Sequence, residues 1–228
     1  MKRLIWIITT CIALTSCGDF FILDDSPDEW DGVTMTALND SSCLMVGDTL
    51  ALQCEFLPVN PNGSSVFWTS SDPICAMVSN DSLLALTPGK MEVRAINATG
   101  RLTDTIQVKV IERWNNEDFS FVHPSDMVIY ANITVDGTPW DSETMTVGAF
   151  IRGELSGMAV KREAYGITYA EIRIWALADE AVGDVQLQCY DSKNKRLYVS
   201  LDGIEFNSYR TIGTLSDLYP ININTISF

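Results

Sequence analysis

The chain reads as all-β, two tandem β-sandwich domains, on three observations. Apolar residues recur at every second position in run after run. The runs are short and are divided by turn signals rich in Gly, Pro, Asn and Asp. No segment holds a 3.6-residue apolar period over ten residues. A hydrophobic content of 46% over 228 residues is that of packed cores, and the length suits one large or two small domains.

The first segment is an address. Lys2 and Arg3 precede an apolar stretch from Leu4 to Leu14, too short to span a membrane, which takes about 20 residues, and fitting a signal-peptide core. It ends in Leu14-Thr15-Ser16-Cys17-Gly18, which resembles the lipobox of bacterial lipoproteins. The resemblance implies cleavage after residue 16 and acylation of Cys17, two or three chains giving stable anchorage. The tether 17–31 carries Asp19, Asp24, Asp25, Asp28 and Glu29. It is similar to the acidic export tract of surface lipoproteins from anaerobic Gram-negative gut bacteria, interrupted here by Phe20-Phe21-Ile22-Leu23. The expected location is the outer membrane, lipid-anchored and surface-exposed.

Charge and histidine content exclude several classes. With 30 Asp+Glu against 15 Lys+Arg the net charge is −15, and loss of Lys2 and Arg3 takes it to −17. Such a chain cannot release counterions from nucleic acid, and it is repelled by anionic headgroups. The membrane partner is reached through the lipid alone. His123 is the single histidine, which removes His-pair metal sites and most His-based catalysis.

Residues 32–111 form the first expected sandwich. Thr49 to Phe56 places Leu50, Leu52, Cys54 and Phe56 on one face, with Gln53 and Glu55 on the other. Lys90 to Ile96 turns Met91, Val93 and Ala95 inward, and Thr105 to Ile111 does the same with Ile106, Val108 and Val110. Gly47-Asp48, Asn60-Pro61-Asn62-Gly63, Asn80-Asp81, Pro88-Gly89 and Thr99-Gly100 separate the runs. Val46-Gly47-Asp48-Thr49-Leu50, Phe67-Trp68-Thr69-Ser70-Ser71-Asp72-Pro73, Ala76-Met77-Val78-Ser79 and Leu86-Thr87-Pro88-Gly89 follow in order across about 80 residues. Together they resemble the bacterial immunoglobulin-like domain, group 2. That implies a seven-strand Ig-like sandwich with Trp68 as core tryptophan and Cys54 and Cys75 standing where the family prefers Ala and Val. It implies no activity, since such domains are mostly spacers or adhesive modules.

Residues 112–118 form a short polar linker, and 119–228 the second sandwich, of Ig-like or jelly-roll type. Met127, Ile129, Ala131, Ile133 and Val135 alternate with Val128, Tyr130, Asn132 and Thr134 until Asp136-Gly137 closes the strand. Thr144 to Ile151 runs into a hairpin tip at Arg152-Gly153-Glu154, with return along Leu155 to Val160. Thr168 to Leu177 opposes Ile172 and Ile174 to Arg173 and Trp175. Val185 to Asp191 and Arg196 to Leu201 flank Ser192-Lys193-Asn194-Lys195. Ala176 to Val182 is the one place for a helical turn. Met127-Val128-Ile129, Val147 through Gly157, Leu187 through Asp191 and Ile212 through Leu215 are similar to a β-sandwich module of secreted multidomain proteins from the same anaerobes. Leu155-Ser156 stands in place of that module's usual Cys-Arg, and the module brings no activity with it.

Candidate sites are few. Cys43, Cys54, Cys75 and Cys189 remain in the mature chain with no CxxC spacing. Buried free thiols are the expectation, with a Cys43–Cys54 or Cys54–Cys75 bridge as the alternative. No catalytic residue, metal or cofactor is assigned. His123-Pro124-Ser125-Asp126 lists triad residue types without the spacing that brings them together, and the acids around Trp140 lack a calcium-loop pattern. Sugar rings present apolar faces and polar edges, so Trp140, Tyr165, Tyr169 and Trp175 are the candidate glycan-stacking residues. Asp48-Thr49-Leu50, Asp81-Ser82-Leu83 and Asp104-Thr105-Ile106 resemble the O-glycosylation signal of the same anaerobes, which implies Thr49, Ser82 and Thr105 as acceptors. The expected function is non-enzymatic: an interaction or adhesion module on an Ig-like spacer, meeting a protein or glycan. The alternative is a carbohydrate-binding accessory lipoprotein of a polysaccharide-uptake system.

Overall fold

The computed structural model describes residues 33–39, 41–57, 65–115, 125–176 and 183–224. Cys17, the signal and tether, the Asn60–Gly63 turn, His123 and the helical turn expected beyond Ala176 lie outside these residues.

Among the described residues the first half supplies nine strands: β1 (Thr34–Ala37), β2 (Ser41–Met45), β3 (Thr49–Ala51), β4 (Cys54–Leu57), β5 (Val66–Ser70), β6 (Ala76–Ser79), β7 (Ser82–Ala85), β8 (Gly89–Asn97) and β9 (Thr103–Ile111). They form a four-stranded sheet β2-β9-β8-β5, a three-stranded sheet β3-β7-β6 and the pair β1-β4. β2 runs parallel to β9, and the other pairs are antiparallel. The inward sets Met91/Val93/Ala95 and Ile106/Val108/Val110 are all buried. The run expected as one strand from Thr49 to Phe56 is two. It breaks at Leu52-Gln53 and passes from the β7 side to β1, while Leu50, Leu52 and Phe56 stay buried. Trp68 is half-buried rather than central. It bridges the main core and a smaller cluster of Met35, Phe56 and Ala95.

The described residues of the second half supply ten: β10 (Ser125–Val135), β11 (Thr138–Pro139), β12 (Met145–Ile151), β13 (Glu154–Ala164), β14 (Ile167–Ala176), β15 (Asp184–Asp191), β16 (Arg196–Val199), β17 (Ile204–Glu205), β18 (Thr211–Ile212) and β19 (Tyr219–Ile223). All join one sheet. Its main path is β11-β10-β14-β13-β12-β15-β16, with β18 and β19 parallel to β10 and β17 on β15. A bridge between Val199 and Asn224 links β16 to the end of β19, so the sheet closes around one core. That core takes Met127, Ile129, Ala131, Ile133 and Val135 from β10 and Val147, Ile172, Leu187, Phe206 and Ile223 from around it.

Three two-residue hairpin turns share one chemistry. Asp136-Gly137, Arg152-Gly153 and Tyr165-Gly166 hold φ of 47° and 74°, 53° and 87°, and 53° and 73°. Positive φ at both central residues matches the twist of flanking strands, and glycine adopts it without a Cβ penalty. The first two are the turns read from the sequence. The third makes β13 an eleven-residue strand, longer than expected.

Among the described residues no sheet mixes strands of the two halves, yet an apolar seam joins them. Cys43 and Met45 from β2, with Trp114, pack against Phe150, Tyr190, Leu197 and Val199. Of the described residues of the expected linker, 112–115, Glu112, Arg113 and Asn115 are exposed and Trp114 enters this seam. Trp114 is 9% exposed and meets Phe150 edge-on at 5.2 Å between centroids. Gly148 makes the room, since a Cβ there would lie 2.9 Å from Phe150, 3.0 Å from Leu155 and 3.2 Å from Trp114.

Candidate functional site

The candidate site is a fork in the second sheet. β10 pairs with β14 from Ser125 to Ala131, and farther along the same strand Thr134 and Val135 pair with β11. The Asp136-Gly137 turn brings β11 back, and Trp140 N then donates to Ile133 O at 3.0 Å. Where β14 leaves and β11 takes over, a cleft of about 280 Å³ opens. Asn132, Trp140, Lys161, Thr168 and Tyr169 are among its lining residues.

Each wall is held. The Trp140 indole Nε1 donates to Met145 O at 3.0 Å while its ring packs on the core. Asp141 organises the loop that follows: its carboxylate accepts from Glu143 N at 3.0 Å and Thr144 Oγ1 at 2.8 Å. Those bonds, the backbone one first, hold the Asp141 carboxyl below the usual carboxylate range. Tyr169 leans edge-on against Tyr130 at 5.6 Å. The cleft thus sets ring surfaces beside an amide, a hydroxyl and an ammonium group, the mixture that suits a ligand with apolar faces and polar edges.

Of the four aromatic candidates, Trp140 and Tyr169 meet in this cleft. Tyr165 sits on the β13–β14 hairpin tip, 95% exposed. Trp175 shares the strand face of Tyr169 but lies six residues away, about 20 Å at strand rise. There the Arg173 guanidinium stands 5.9 Å from its ring while pairing with Asp126 at 3.5 Å. Asn132, Lys161 and Thr168 were missed, because membership depends on where the β10–β14 pairing stops. Thr49 and Thr105 are exposed and Ser82 is half-buried at the start of β7.

The four described cysteines are free thiols. Burial pushes Cys43 and Cys54 up to about 11 and Cys189 up to about 12, so they behave as small hydrophobes and not as nucleophiles. Cys75 is buried in the turn before β6, not within a strand, and its Sγ donates to Thr87 O. Among the described residues no cluster of three or more His, Cys, Asp or Glu is placed to hold a metal ion, and no helix is long and apolar enough to cross a membrane.

The seam carries a polar node that sequence reasoning also missed. Asp48 accepts from Arg113 Nη2 at 2.6 Å, Tyr190 Oη at 2.5 Å and Lys195 Nζ at 3.2 Å. Burial alone would raise its carboxyl, but these donors outweigh that and leave it below the usual range. Tyr190 is raised by burial and by the bond to Asp48.

No protein-family model matches the chain, and no curated protein matches it. Among solved structures, domains 4–9 of the surface layer protein SbsC align with 83% of this chain at 11% identity and a TM-score of 0.30. This chain spans 31% of that one. SbsC domains 4 and 5 align with 79% of this chain and 98% of their own, at 13% identity and a TM-score of 0.30. The four N-terminal Ig domains of Dscam1 isoform 4.4 align with 86% and 53%, at 10% identity and a TM-score of 0.24.

Proposed function

We propose that this chain is a non-enzymatic lipoprotein of the outer membrane, displayed on the cell surface through acylated Cys17. Its second domain, residues 119–228, is the interaction module, carried by an Ig-like domain over 32–111. One observation carries the reading: an open cleft in which two aromatic rings stand beside polar side chains. Such a surface suits the binding of a ligand with apolar faces and polar edges. The lipobox residues support the anchor, and the four ordered motifs around Trp68 support membership of the first domain in the bacterial Ig-like group 2.

A glycan is the favoured ligand class within this reading, because Trp140 and Tyr169 converge beside Asn132, Lys161 and Thr168. A glycan array on the soluble form beginning after Asp31 tests it. Selective binding that is lost in Tyr169→Ala and Asn132→Ala supports it. Absence of any glycan, together with capture of a defined protein lost in the same variants, moves the cleft to a protein ligand. Labelling of cells with a fatty-acid analogue tests the anchor, and unchanged labelling of Cys17→Ala rules it out. Protease shaving of whole cells tests display, with full protection placing the protein on the periplasmic side.

A further inference from the structure

We propose that the first half belongs to the binding unit: by docking on the β15–β16 turn it steadies the Trp140–Thr144 loop that walls the cleft, with Asp48, Lys195 and Ser192 as positioning residues. The proposal rests on the reading of the cleft as the binding site.

A run of short bonds connects the two places. Cys43 N, on β2, donates to Lys195 O at 2.7 Å across the seam, and Lys195 Nζ donates back to Asp48. Lys195 ends the turn with φ of 54°, a left-handed conformation uncommon for a residue with a Cβ. The turn's interior is tied to buried Asp191, which accepts from Lys193 N and Asn194 N, each at 2.9 Å, and from Asn194 Nδ2 at 2.7 Å. At the turn's start Ser192 makes the next link. Its N and its Oγ both donate to Thr144 O, at 2.9 and 2.8 Å. Thr144 is itself bonded to Asp141, and Met145 O receives the Trp140 indole. Asp141 also lies in the field of Lys161 in the cleft and Lys193 in the turn. The first half therefore grips one end of the turn and the cleft loop grips the other.

β12 and β15 already place Met145 opposite Asp191, so strand pairing alone is the competing account of the loop's order. Amide hydrogen exchange on the full chain, purified in detergent, separates the two accounts without a ligand. Asp48→Ala is expected to speed exchange about tenfold in 41–47 and 190–195 and also in 140–146, leaving 127–131 unchanged. Ser192→Ala is expected to speed 140–146 and leave 41–47 alone. The double variant is expected to match Ser192→Ala at 140–146, the non-additivity of a relayed effect. Asp48→Glu, which keeps the carboxylate, brings 140–146 back toward the wild-type rate. Should Asp48→Ala not fold, Tyr190→Phe removes one bond to the same carboxylate and gives the same pattern at smaller amplitude. Wild-type exchange at 140–146 in Asp48→Ala or Tyr190→Phe, or additive effects in the double variant, overturns the proposal. An empty glycan array would sink the ligand reading and leave these exchange results standing.

Discussion

The seam and the cleft lie on the same sheet and handle aromatic side chains in opposite ways. At the seam Trp114, Phe150 and Tyr190 are driven below 10% exposure, and the Asp48 carboxylate beside them is met by three donors. At the cleft Trp140 and Tyr169 keep part of their rings in solvent, with an ammonium and an amide beside them. The seam is an interface already filled by the chain itself, and the cleft is one left open. An aromatic ring alone does not distinguish the two. What distinguishes them is whether another element of the same chain brings apolar surface and matched donors to cover it.

Trp114→Ala should have the largest effect, because it empties the centre of the seam. A buried aromatic truncated to Ala costs about 3–5 kcal/mol. Chemical denaturation should show that loss and should split a shared transition into two, one for each half. A single transition with unchanged midpoint would mean that the seam contributes nothing to coupling. Gly148→Ala attacks the same place by crowding. Its Cβ would meet Phe150 at 2.9 Å, and overpacking of this kind costs about 1–3 kcal/mol, read in the same experiment. If the neighbouring rings swing aside freely, the midpoint will not move.

The polar node predicts a pH dependence. Asp48 is faced by Arg113 following β9, by Tyr190 and Lys195 of the β15–β16 hairpin, and by the neutral Cys43 thiol of β2. Its carboxyl is depressed in the folded chain. It therefore contributes stability that is fully present above the unfolded value, about 4, and is lost as the pH falls through the folded one. Asp48→Asn should cost about 1–2 kcal/mol between pH 5 and 8, and the gap to wild type should close in more acid solution. A gap that stays constant down to pH 2 would show that the charge on Asp48 is not what the seam uses.

The sequence and the structure agree where burial has a period. β8, β9 and β10 bury the residues their alternation selects, because one face of each meets a core. Alternation says which face is covered and not by what. It carried the pattern Leu50-Leu52-Phe56 straight through a change of sheet at Gln53, since the main core around Leu50 and Leu52 adjoins the smaller cluster around Phe56 at Cys54 and Trp68. The seam did leave a trace: Val147-Gly148-Ala149-Phe150-Ile151 is buried without alternation, the mark of a strand covered on both faces. Trp114 amid Glu112, Arg113, Asn115 and Asn116 was the other trace, a large ring in a polar segment. For the cleft, composition marked Trp140 and Tyr169 as aromatic in polar company. Lys161 and Thr168 come from β13 and β14, and only the end of the β10–β14 ladder places them there.

Tyr169→Ala gives the smallest effect on stability and the sharpest test of the comparison. Its ring is half-buried and touches Tyr130 edge-on, so truncation removes one aromatic pair at the surface, about 0.5–1.5 kcal/mol. Trp140→Ala is the poorer probe, because it also removes the indole bond to Met145 and core contact. If the cleft is open for a ligand, Tyr169→Ala should leave the melting curve within a few degrees of wild type while binding to the glycan or protein found in the screens falls about tenfold or more. If the cleft is instead only an imperfectly closed part of the fold, the order reverses. Stability would then fall as far as in the seam variants, and binding elsewhere on the surface would be untouched. The ratio of the two losses, taken against Trp114→Ala, separates a surface made to be covered by this chain from one made to be covered by another molecule.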